Sequence, residues 1–256
     1  MTANLLVDRQ ASVTVLTLNR PDKLNAMDSA LYERLTAELQ AADTDPDVRV
    51  IIIRGAGRSF CAGADVGEFA DLTPDQTKQV EFRAGLTYGL HKKLSETSTP
   101  VIAAIHGHAV GGGCGLAVAC DITIASRTVK MGYPEIKHGL VAAVVMANLT
   151  KQVGRKAGFD LVASGRLVGA DEALRLGMVT RVVDEGKEFE EAMRTAEELA
   201  RWTPRALQAT KRLYAAVADL PLADGLVQGR QANERMRAYR AEALQSYQAS
   251  VKGLEG

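Results

Sequence analysis

One stretch of the chain reads His106-Gly107-His108-Ala109-Val110-Gly111-Gly112-Gly113-Cys114-Gly115. It follows the apolar run at residues 101–105 and leads into a small-residue segment at 116–121. This order predicts a buried strand, a glycine turn and the start of a helix. Glycines let a backbone approach a ligand closely, and the N-terminus of a helix presents unpaired N–H groups with positive potential. The stretch therefore predicts a site suited to an oxygen atom that carries negative charge.

Length and composition are those of an ordinary globular protein. The chain has 256 residues, of which 46% are hydrophobic and 24% are charged. It is long enough for one domain of upper-normal size, or for one domain with a small appendage. Its 31 basic and 31 acidic residues balance, and only 5% of its residues are aromatic. Since no basic cluster is interleaved with aromatic residues, we expect no nucleic-acid partner.

The cysteines and the N-terminal segment indicate the compartment. Cys61, Cys114 and Cys120 lie among small apolar residues, and an odd number of cysteines makes a poor disulfide framework. The first residues do not form a secretory signal. No segment approaches the roughly 18 continuous apolar residues that a membrane helix needs. We therefore expect reduced thiols, no membrane partner and a cytoplasmic location.

The first half of the chain alternates predicted strands and helices. Residues 12–18 alternate as in a half-buried strand, and residues 49–54 contain the continuous apolar run of a buried one. Helical spacing predicts a helix at 28–42 with Asp28 as its N-cap, and Thr73-Pro74 predicts the start of a helix that ends near residue 94. Further strands are predicted at 99–105, 121–125 and 129–131. This layout is typical of an α/β fold in which helices cover the sheets.

The chain beyond residue 139 is predicted to be largely helical. Helical spacing covers residues 142–154, 155–163 and 170–176, and a strand follows at 178–183. Three more helices are predicted at 188–201, at 204–217 with Thr203 as N-cap, and at 222–250. Because the last helix is long and polar on several faces, we expect it to pack on a neighbouring domain or subunit. A solvated terminal helix is the alternative.

Common nucleotide-binding and hydrolytic motifs are absent from the sequence. A dinucleotide-binding Gly-x-Gly-x-x-Gly pattern fails, because Leu116 or Val118 stands where the third glycine is required. There is no P-loop lysine, no Gly-x-Ser-x-Gly turn, and no histidine or cysteine spacing typical of zinc. We therefore expect no metal, and chemistry that relies on a carboxylate and on backbone dipoles.

Two further segments follow predicted strands as the glycine turn does. The loop at residues 55–65 is rich in small residues and lies just beyond the strand at 49–54, where open α/β sheets commonly bind ligands. A second segment, at residues 131–135, places the carboxylate of Glu135 just beyond another strand. The sequence thus contains two candidate binding turns and one candidate acid-base group.

Five motifs, in this order and spacing, resemble the enoyl-CoA hydratase/isomerase (crotonase) superfamily. They are Asn19-Arg20-Pro21 with Leu24-Asn25-Ala26, Phe60-Cys61-Ala62-Gly63-Ala64-Asp65, Gly111-Gly112-Gly113-Cys114, Cys120-Asp121 and Pro134-Glu135. A later segment is similar to the family's apolar segment, short helix and final turn; it contains Arg166-Leu167, Ala170, Ala173 and Gly177-Met178-Val179. The resemblance spans nearly the whole chain.

The resemblance implies a fold, an assembly and a ligand. The fold is a crotonase-like spiral of repeated β-β-α units, with a core at residues 1–195 that carries the CoA-binding and catalytic loops. Residues 196–256 are predicted to form a helical trimerisation region, and the chain to assemble as a homotrimer or a dimer of trimers. The implied ligand is an acyl-CoA thioester, so coenzyme A enters as part of the substrate and no separate cofactor is expected.

The resemblance also implies chemical roles for three residues. The backbone N–H groups of Ala64 and Gly112 would form an oxyanion hole for the thioester carbonyl, because pre-aimed donors stabilise an enolate without reorganising. Glu135 matches the catalytic carboxylate that family members place beside C2 of the substrate. Burial in an apolar pocket raises the pKa of such a group towards neutrality, which suits proton transfer in both directions. A capping glutamate on the surface is the alternative for Glu135.

Further positions match substrate contacts in the family. Tyr247 matches an aromatic residue that touches the CoA of a neighbouring subunit, and Lys23 and Arg58 are either contacts of the CoA phosphates or solvated surface bases. Residues 139–144 are expected to line the acyl pocket. The predicted substrate-binding residues are Lys23, Leu24, Cys61, Ala62, Asp65, Val66, Gly111, Gly115, Tyr133, Pro134, Leu140, Ala143 and Tyr247.

Gly115 departs from the pattern of the family's hydratases, in which a second glutamate directly follows the glycine-cysteine turn. With one carboxylate, Glu135 is expected to shift a double bond, so the chain is predicted to be an enoyl-CoA isomerase. Enoyl-CoA hydratase is the near alternative, and Glu68 or Asp71 is then a candidate second acid. A non-catalytic acyl-CoA-binding scaffold is the alternative from another class, since fold alone does not exclude it.

Overall fold

Two sheets organise the structure, a computed structural model that describes residues 3–68, 75–237 and 244. The strands are β1 (Leu5–Gln10), β2 (Val13–Leu18), β3 (Val50–Gly55), β4 (Val101–Ile105), β5 (His108–Val110), β6 (Ile122–Ser126), β7 (Lys130–Gly132), β8 (Leu167–Gly169) and β9 (Arg181–Val183). The larger sheet has the order β1-β2-β3-β4-β6-β9. Its β1 and β2 are antiparallel, and all its other neighbours are parallel.

The apolar run of β3 lies in the interior of the larger sheet, where both faces are buried. Successive side chains of a strand point to opposite sides. Ile51 and Ile53 therefore lie in the main hydrophobic core, whereas Val50 and Ile52 lie in a second core on the other side. The buried strand predicted from this run is confirmed, and parallel strands covered on both faces typically have such continuous apolar sequences.

The described helices are α1 (Ser29–Thr44), α2 (Thr77–Glu96), α3 (Gly112–Ala119), α4 (Met146–Gln152), α5 (Arg155–Ser164), α6 (Ala170–Arg175), α7 (Glu188–Ala200), α8 (Pro204–Val217) and α9 (Leu222–Met236). Buried side chains of α1, α2 and α3 lie in the main core and those of α7 in the second core, so helices cover both faces of the sheet. The predicted cap of α1 is confirmed, because the Asp28 side chain accepts a hydrogen bond from Leu31 N at 2.8 Å. The start predicted for the second helix, at Thr73-Pro74, lies outside the described residues.

The smaller sheet shows the spiral plan. β5 pairs with β7 in parallel and β7 pairs with β8 in antiparallel fashion. Two isolated parallel bridges continue this plan: Met27 pairs with Ala64, and Cys61 pairs with Ala109 of β5. Each turn places a strand in the larger sheet, then a short strand or bridge, then a helix: β2, Met27 and α1; β3, Cys61 and α2; β4, β5 and α3. The predicted spiral of β-β-α units with a helical C-terminal region is confirmed.

Several boundaries differ from the sequence-based prediction. Strands β1, β5 and β8 were not predicted, and the last two have only three residues each, too few for a periodic pattern. The helix predicted from residue 142 begins at Met146, because the chain turns there: Gly139 has a φ of +70°, and Ala143 N–H donates to Val141 O. The strand predicted from residue 178 begins at Arg181, because Met178 N–H donates to Ala173 O and closes the end of α6.

The helices after β9 differ in how they pack. α7 runs through the predicted boundary at residue 195, and its Ala192 and Ala196 lie in the second core against the larger sheet. α8 and α9 contain no fully buried residue among those described. Thr203 precedes α8 without the predicted side-chain cap bond. The predicted helix at 222–250 is observed as α9 up to Met236, and its later part lies largely outside the described residues.

No helix in the described part of the chain is both long and apolar enough to cross a membrane.

Candidate active site

Two backbone N–H groups converge at the start of α3. Met27 N–H donates to Gly63 O at 2.7 Å, and Met27 O accepts from Asp65 N–H at 3.0 Å. In a parallel bridge of this kind, the N–H of the central residue, Ala64, is directed away from Met27. Gly112 is the first residue of α3, where an N–H group has no partner within the helix. Both groups are therefore available to a ligand.

The two donors are neighbours across a narrow gap. A Cβ atom at Gly63 would lie 3.2 Å from Gly112 N, and a Cβ atom at Gly112 would lie 3.8 Å from Ala64 N. Gly63 has a φ of +90° and Gly111 a φ of +56°, conformations that favour glycine. The glycines thus permit both the turn and the close approach, and the pair of N–H groups is suited to holding one oxygen atom.

A carboxylate lies beside the same turn. Glu135 follows β7 in a short 3-10 turn, Pro134–His138. Its Oε1 would lie 3.1 Å from a Cβ atom at Gly111, and its Oε2 is buried without a hydrogen-bond partner among the described residues. Burial raises the pKa of Glu135 above its ordinary value, against smaller effects of its own backbone N–H and of His138. A carboxyl group in this state can give up and regain a proton next to the two donors.

The raised pKa of Glu135 makes a prediction about stability. The folded chain binds this proton more tightly than the unfolded chain, so the carboxyl lowers the free energy of unfolding as the pH rises above its ordinary pKa of 4.5. We expect Glu135→Gln to raise Tm at neutral pH and the gain to disappear below that pKa. Thermal unfolding of both proteins across this pH range measures it. A gain that stays constant with pH would contradict a titration origin.

The position expected for a second acid is filled by other side chains. A Cβ atom at Gly115 would lie 2.2 Å from Val145 Cγ1, 2.6 Å from Val145 Cβ and 3.3 Å from His91 Cε1. Val145 and His91 are both buried, and Asn148 Nδ2 lies 2.9 Å from His91 Nδ1. Glycine is therefore required at position 115, because side chains of α2 and of the start of α4 pack directly against its backbone.

Substitution at Gly115 is expected to destabilise the fold. Gly115→Ala forces its new methyl group into Val145, and overpacking of this kind costs about 1–3 kcal/mol. Val145→Gly removes the atoms in conflict, so the double variant is expected to lose less stability than the two single variants added together. Urea unfolding of the four proteins measures this coupling. Strictly additive losses would show that the two positions do not interact.

The other candidate acids hold the scaffold or lie outside the described residues. Glu68 accepts hydrogen bonds from Ser29 N at 2.9 Å and Ser29 Oγ at 3.0 Å, and it pairs with Arg83 Nε at 3.2 Å. It therefore ties the start of α1 to α2. Asp71 lies outside the described residues. Within the described ranges, no group of three or more His, Cys, Asp or Glu side chains is placed to hold a metal ion.

The residues predicted to contact the CoA part lie on two touching turns. Lys23 is exposed in the 3-10 turn Pro21–Lys23, and Arg58 is exposed in the loop after β3. The turns meet because a Cβ atom at Gly57 would lie 2.8 Å from Pro21 Cβ. A hydrogen bond of 2.9 Å from Ala62 N–H to Leu24 O joins them further on. Two positive side chains are thus presented on one edge of the molecule.

The remaining predicted contacts differ in exposure. Cys61 and Tyr133 have fully buried side chains, so only their backbone atoms remain for a ligand. Asp65 accepts from the Arg20 guanidinium at 2.7 Å, and this contact holds the pKa of its carboxyl below the usual range. Tyr247 lies outside the described residues. The exposed or partly exposed positions are Leu24, Ala62, Val66, Pro134, Leu140 and Ala143.

Two residues behind the glycine turn escaped the sequence analysis. Tyr32 on α1 is fully buried, and its hydroxyl would lie 3.1 Å from a Cβ atom at Gly112. Arg83 on α2 is 5% exposed, donates to Met27 O at 2.6 Å and stacks 4.6 Å from the centre of the Tyr32 ring. An aromatic residue at helical spacing indicates core, and a lone arginine indicates surface. Neither residue type therefore signalled a site.

The spiral brings together two converging donors and a carboxylate, an arrangement suited to stabilising negative charge on a carbonyl oxygen. The profile of one family, described as enoyl-CoA hydratase/isomerase, matches residues 8–253. The chain belongs to this family, and the predicted resemblance is confirmed.

Relatives of the chain carry hydratase names. The 2,3-dehydroadipyl-CoA hydratase of Escherichia coli is 36% identical over 90% of this chain and 88% of that protein. The short-chain-enoyl-CoA hydratase of Clostridium acetobutylicum is 34% identical over 77% and 74%, respectively. The crystal structure of enoyl-CoA hydratase from Bacillus anthracis is 30% identical and matches with a TM-score of 0.90 over 97% of both chains. These similarities support an enzyme that acts on an acyl-CoA thioester.

Proposed function

We propose that this chain moves a double bond in an enoyl-CoA thioester, with Glu135 as its acid-base group. One observation carries the proposal: Glu135 borders the Gly111–Gly112 turn, whereas Val145 and His91 fill the position of a second acid. A double-bond shift needs only one carboxylate, because the same group removes and returns the proton.

The proposed reaction starts from a 3-enoyl-CoA. Glu135 takes a proton from C2, and the electron pair of that bond moves into a dienolate whose oxygen is held by the N–H groups of Ala64 and Gly112. Glu135 then returns the proton to C4, which yields the 2-enoyl-CoA without gain or loss of atoms. A backbone donor of this kind lowers the barrier by about 3 kcal/mol. A pKa raised by burial suits both proton transfers.

Substrate contacts and assembly complete the proposal. Lys23 and Arg58 meet the phosphates of CoA, and Leu140 and Ala143 border the acyl chain. Coenzyme A arrives as part of the substrate, so no separate cofactor is required. We further propose a cytoplasmic homotrimer or dimer of trimers, in which a neighbouring copy covers the apolar side chains exposed on α8 and α9.

Hydration of a 2-enoyl-CoA is the second candidate. The hydratase names of the relatives favour it, and the space beside Gly115 contains a polar side chain, His91. Hydration on this site would rely on an imidazole where other members use a carboxylate. In hydration, as in isomerisation, Glu135 would act beside the N–H groups of Ala64 and Gly112.

Matched 2-enoyl and 3-enoyl thioesters separate these candidates. We expect the chain to convert the 3-enoyl into the 2-enoyl thioester, without the added mass of a water molecule, and Glu135→Gln to stop this conversion. If the chain forms 3-hydroxyacyl-CoA faster than it shifts the double bond, and Glu68→Gln retains this activity, hydration replaces isomerisation as the function. Binding of acyl-CoA with no conversion of either thioester would instead favour a non-catalytic scaffold.

A further inference from the structure

A buried imidazole, that of His91 on α2, lies beside the start of α3. Its side chain is 7% exposed, and its Cε1, the carbon between the two ring nitrogens, would lie 3.3 Å from a Cβ atom at Gly115. Gly115 N–H donates to Gly111 O at 2.9 Å, which places the two glycines one helical turn apart. Glu135 lies beside Gly111, and His91 lies beside Gly115. The carboxylate and the imidazole therefore border consecutive turns at the start of α3.

Asn148 sets the tautomer of this imidazole. Its side-chain nitrogen lies 2.9 Å from His91 Nδ1, and an amide nitrogen can only donate a hydrogen bond. Nδ1 is therefore the acceptor, and the neutral ring carries its proton on Nε2. Burial lowers the pKa of His91 to about 4, which keeps the ring neutral at physiological pH.

The Nε2–H group of His91 has no acceptor among the described residues, although the side chain as a whole is largely buried. Nε2 is not among the fully enclosed polar atoms that lack a partner, so this nitrogen reaches accessible space. The closest side chain at Gly115, that of Val145, contains only carbon atoms and offers no acceptor. An oxygen atom that enters from outside can therefore accept a hydrogen bond from Nε2–H.

We propose that His91 Nε2–H donates a hydrogen bond to a neutral oxygen atom of the bound reactants. That oxygen belongs either to the water that adds to the double bond or to a substituent of the acyl group, since both present the same lone pair to the donor. The inference rests on the proposed acyl-CoA site. It places the imidazole of His91, in contact with Asn148, beside the position expected for a second carboxylate.

Three variants test the donor in two kinds of measurement. His91→Phe removes the N–H and keeps a ring, His91→Gln restores an N–H donor, and His108→Phe is a matched control at an exposed histidine on β5. Hydration of an unsubstituted 2-enoyl-CoA reports on water. The ratio of Kd values for saturated acyl-CoA with and without an oxo group on the acyl chain reports on a substituent.

We expect His91→Phe to reduce the hydration rate or the Kd ratio by about tenfold or more. A change of this size corresponds to the loss of one hydrogen bond. His91→Gln should recover most of the effect, and His108→Phe should leave both measurements unchanged. A folded His91→Phe protein that matches the wild type in both would overturn the inference.

Nitrogen NMR of the wild-type chain tests the donor without any variant. We expect a ring protonated on Nε2 at neutral pH and a shift of the Nε2–H signal when acyl-CoA binds. A ring protonated on Nδ1 would overturn the inference. A wild-type chain that binds no acyl-CoA would overturn the proposed function together with it, whereas turnover that is indifferent to His91 would overturn this inference alone.

Discussion

Glu135→Gln is expected to lower kcat on an enoyl-CoA by about 10³-fold, within the range usual for loss of a general acid-base group. Glutamine keeps the shape of the side chain but cannot take a proton from C2. The Oε2 atom that would receive the proton is buried and has no partner among the described residues. The loss should therefore fall on the chemical step, with the Kd for acyl-CoA changing little. Single-turnover kinetics and titration calorimetry measure the two quantities.

Glu68→Gln is the matched control for this experiment. Glu68 accepts a hydrogen bond from Ser29 and pairs with Arg83. Its replacement should therefore lower Tm and change kcat little. Glu135→Asp retains the carboxyl but withdraws it from the Gly111 turn, and an intermediate kcat is expected. A Glu135→Gln enzyme that kept a tenth or more of the wild-type kcat would remove Glu135 from the acid-base role.

Gly112→Pro is expected to lower kcat by about 10²–10³-fold relative to Gly112→Ala, the loss usual for one oxyanion donor. Both variants carry a Cβ atom 3.1 Å from the Tyr32 hydroxyl, but only proline lacks the N–H group. Proline is favoured at the first position of a helix, so α3 should still form. The residue before it, Gly111, has a φ of +56° and a ψ of −126°, outside the helical region that a following proline disfavours.

Comparison of the two Gly112 variants separates the effect of the new Cβ atom from that of replacing the N–H hydrogen by the proline Cδ. Circular dichroism and Tm establish that both fold, and kcat/KM on the same enoyl-CoA gives the difference in transition-state stabilisation. Equal activities of Gly112→Pro and Gly112→Ala would mean that the N–H of Gly112 does not hold the reacting oxygen. The oxygen would then depend on Ala64 and on other donors.

The residues that the sequence revealed are those with a local signature. Ala64 and Gly112 follow strands β3 and β5 in small-residue turns, and Glu135 follows β7 directly, so the alternation of strand and turn pointed to all three. Their convergence depends on the spiral, which brings the ends of different strands together. Asp28 was also predictable, because an N-cap bonds to the residues that follow it in sequence.

The residues that the sequence did not reveal act through space. Tyr32, Arg83, His91 and Val145 come from α1, α2 and the start of α4, and each meets the glycine turn only after the helices pack. Their side chains have no periodic or motif signature that distinguishes a site from an ordinary core. Gly115 makes the contrast clear: the sequence shows that an acid is missing there, and only the packing shows that Val145 and His91 have taken its space.

The sequence by itself determined the family, the α/β spiral and the chemical types at the glycine turn, because these depend on residue order and on local backbone preferences. Tertiary structure alone decided what surrounds Gly115, the burial that raises the pKa of Glu135 and the partner that orients His91. Those properties depend on distances between segments far apart in the chain. The physical reason is that desolvation and side-chain packing are set by neighbours in space, which a linear pattern does not specify.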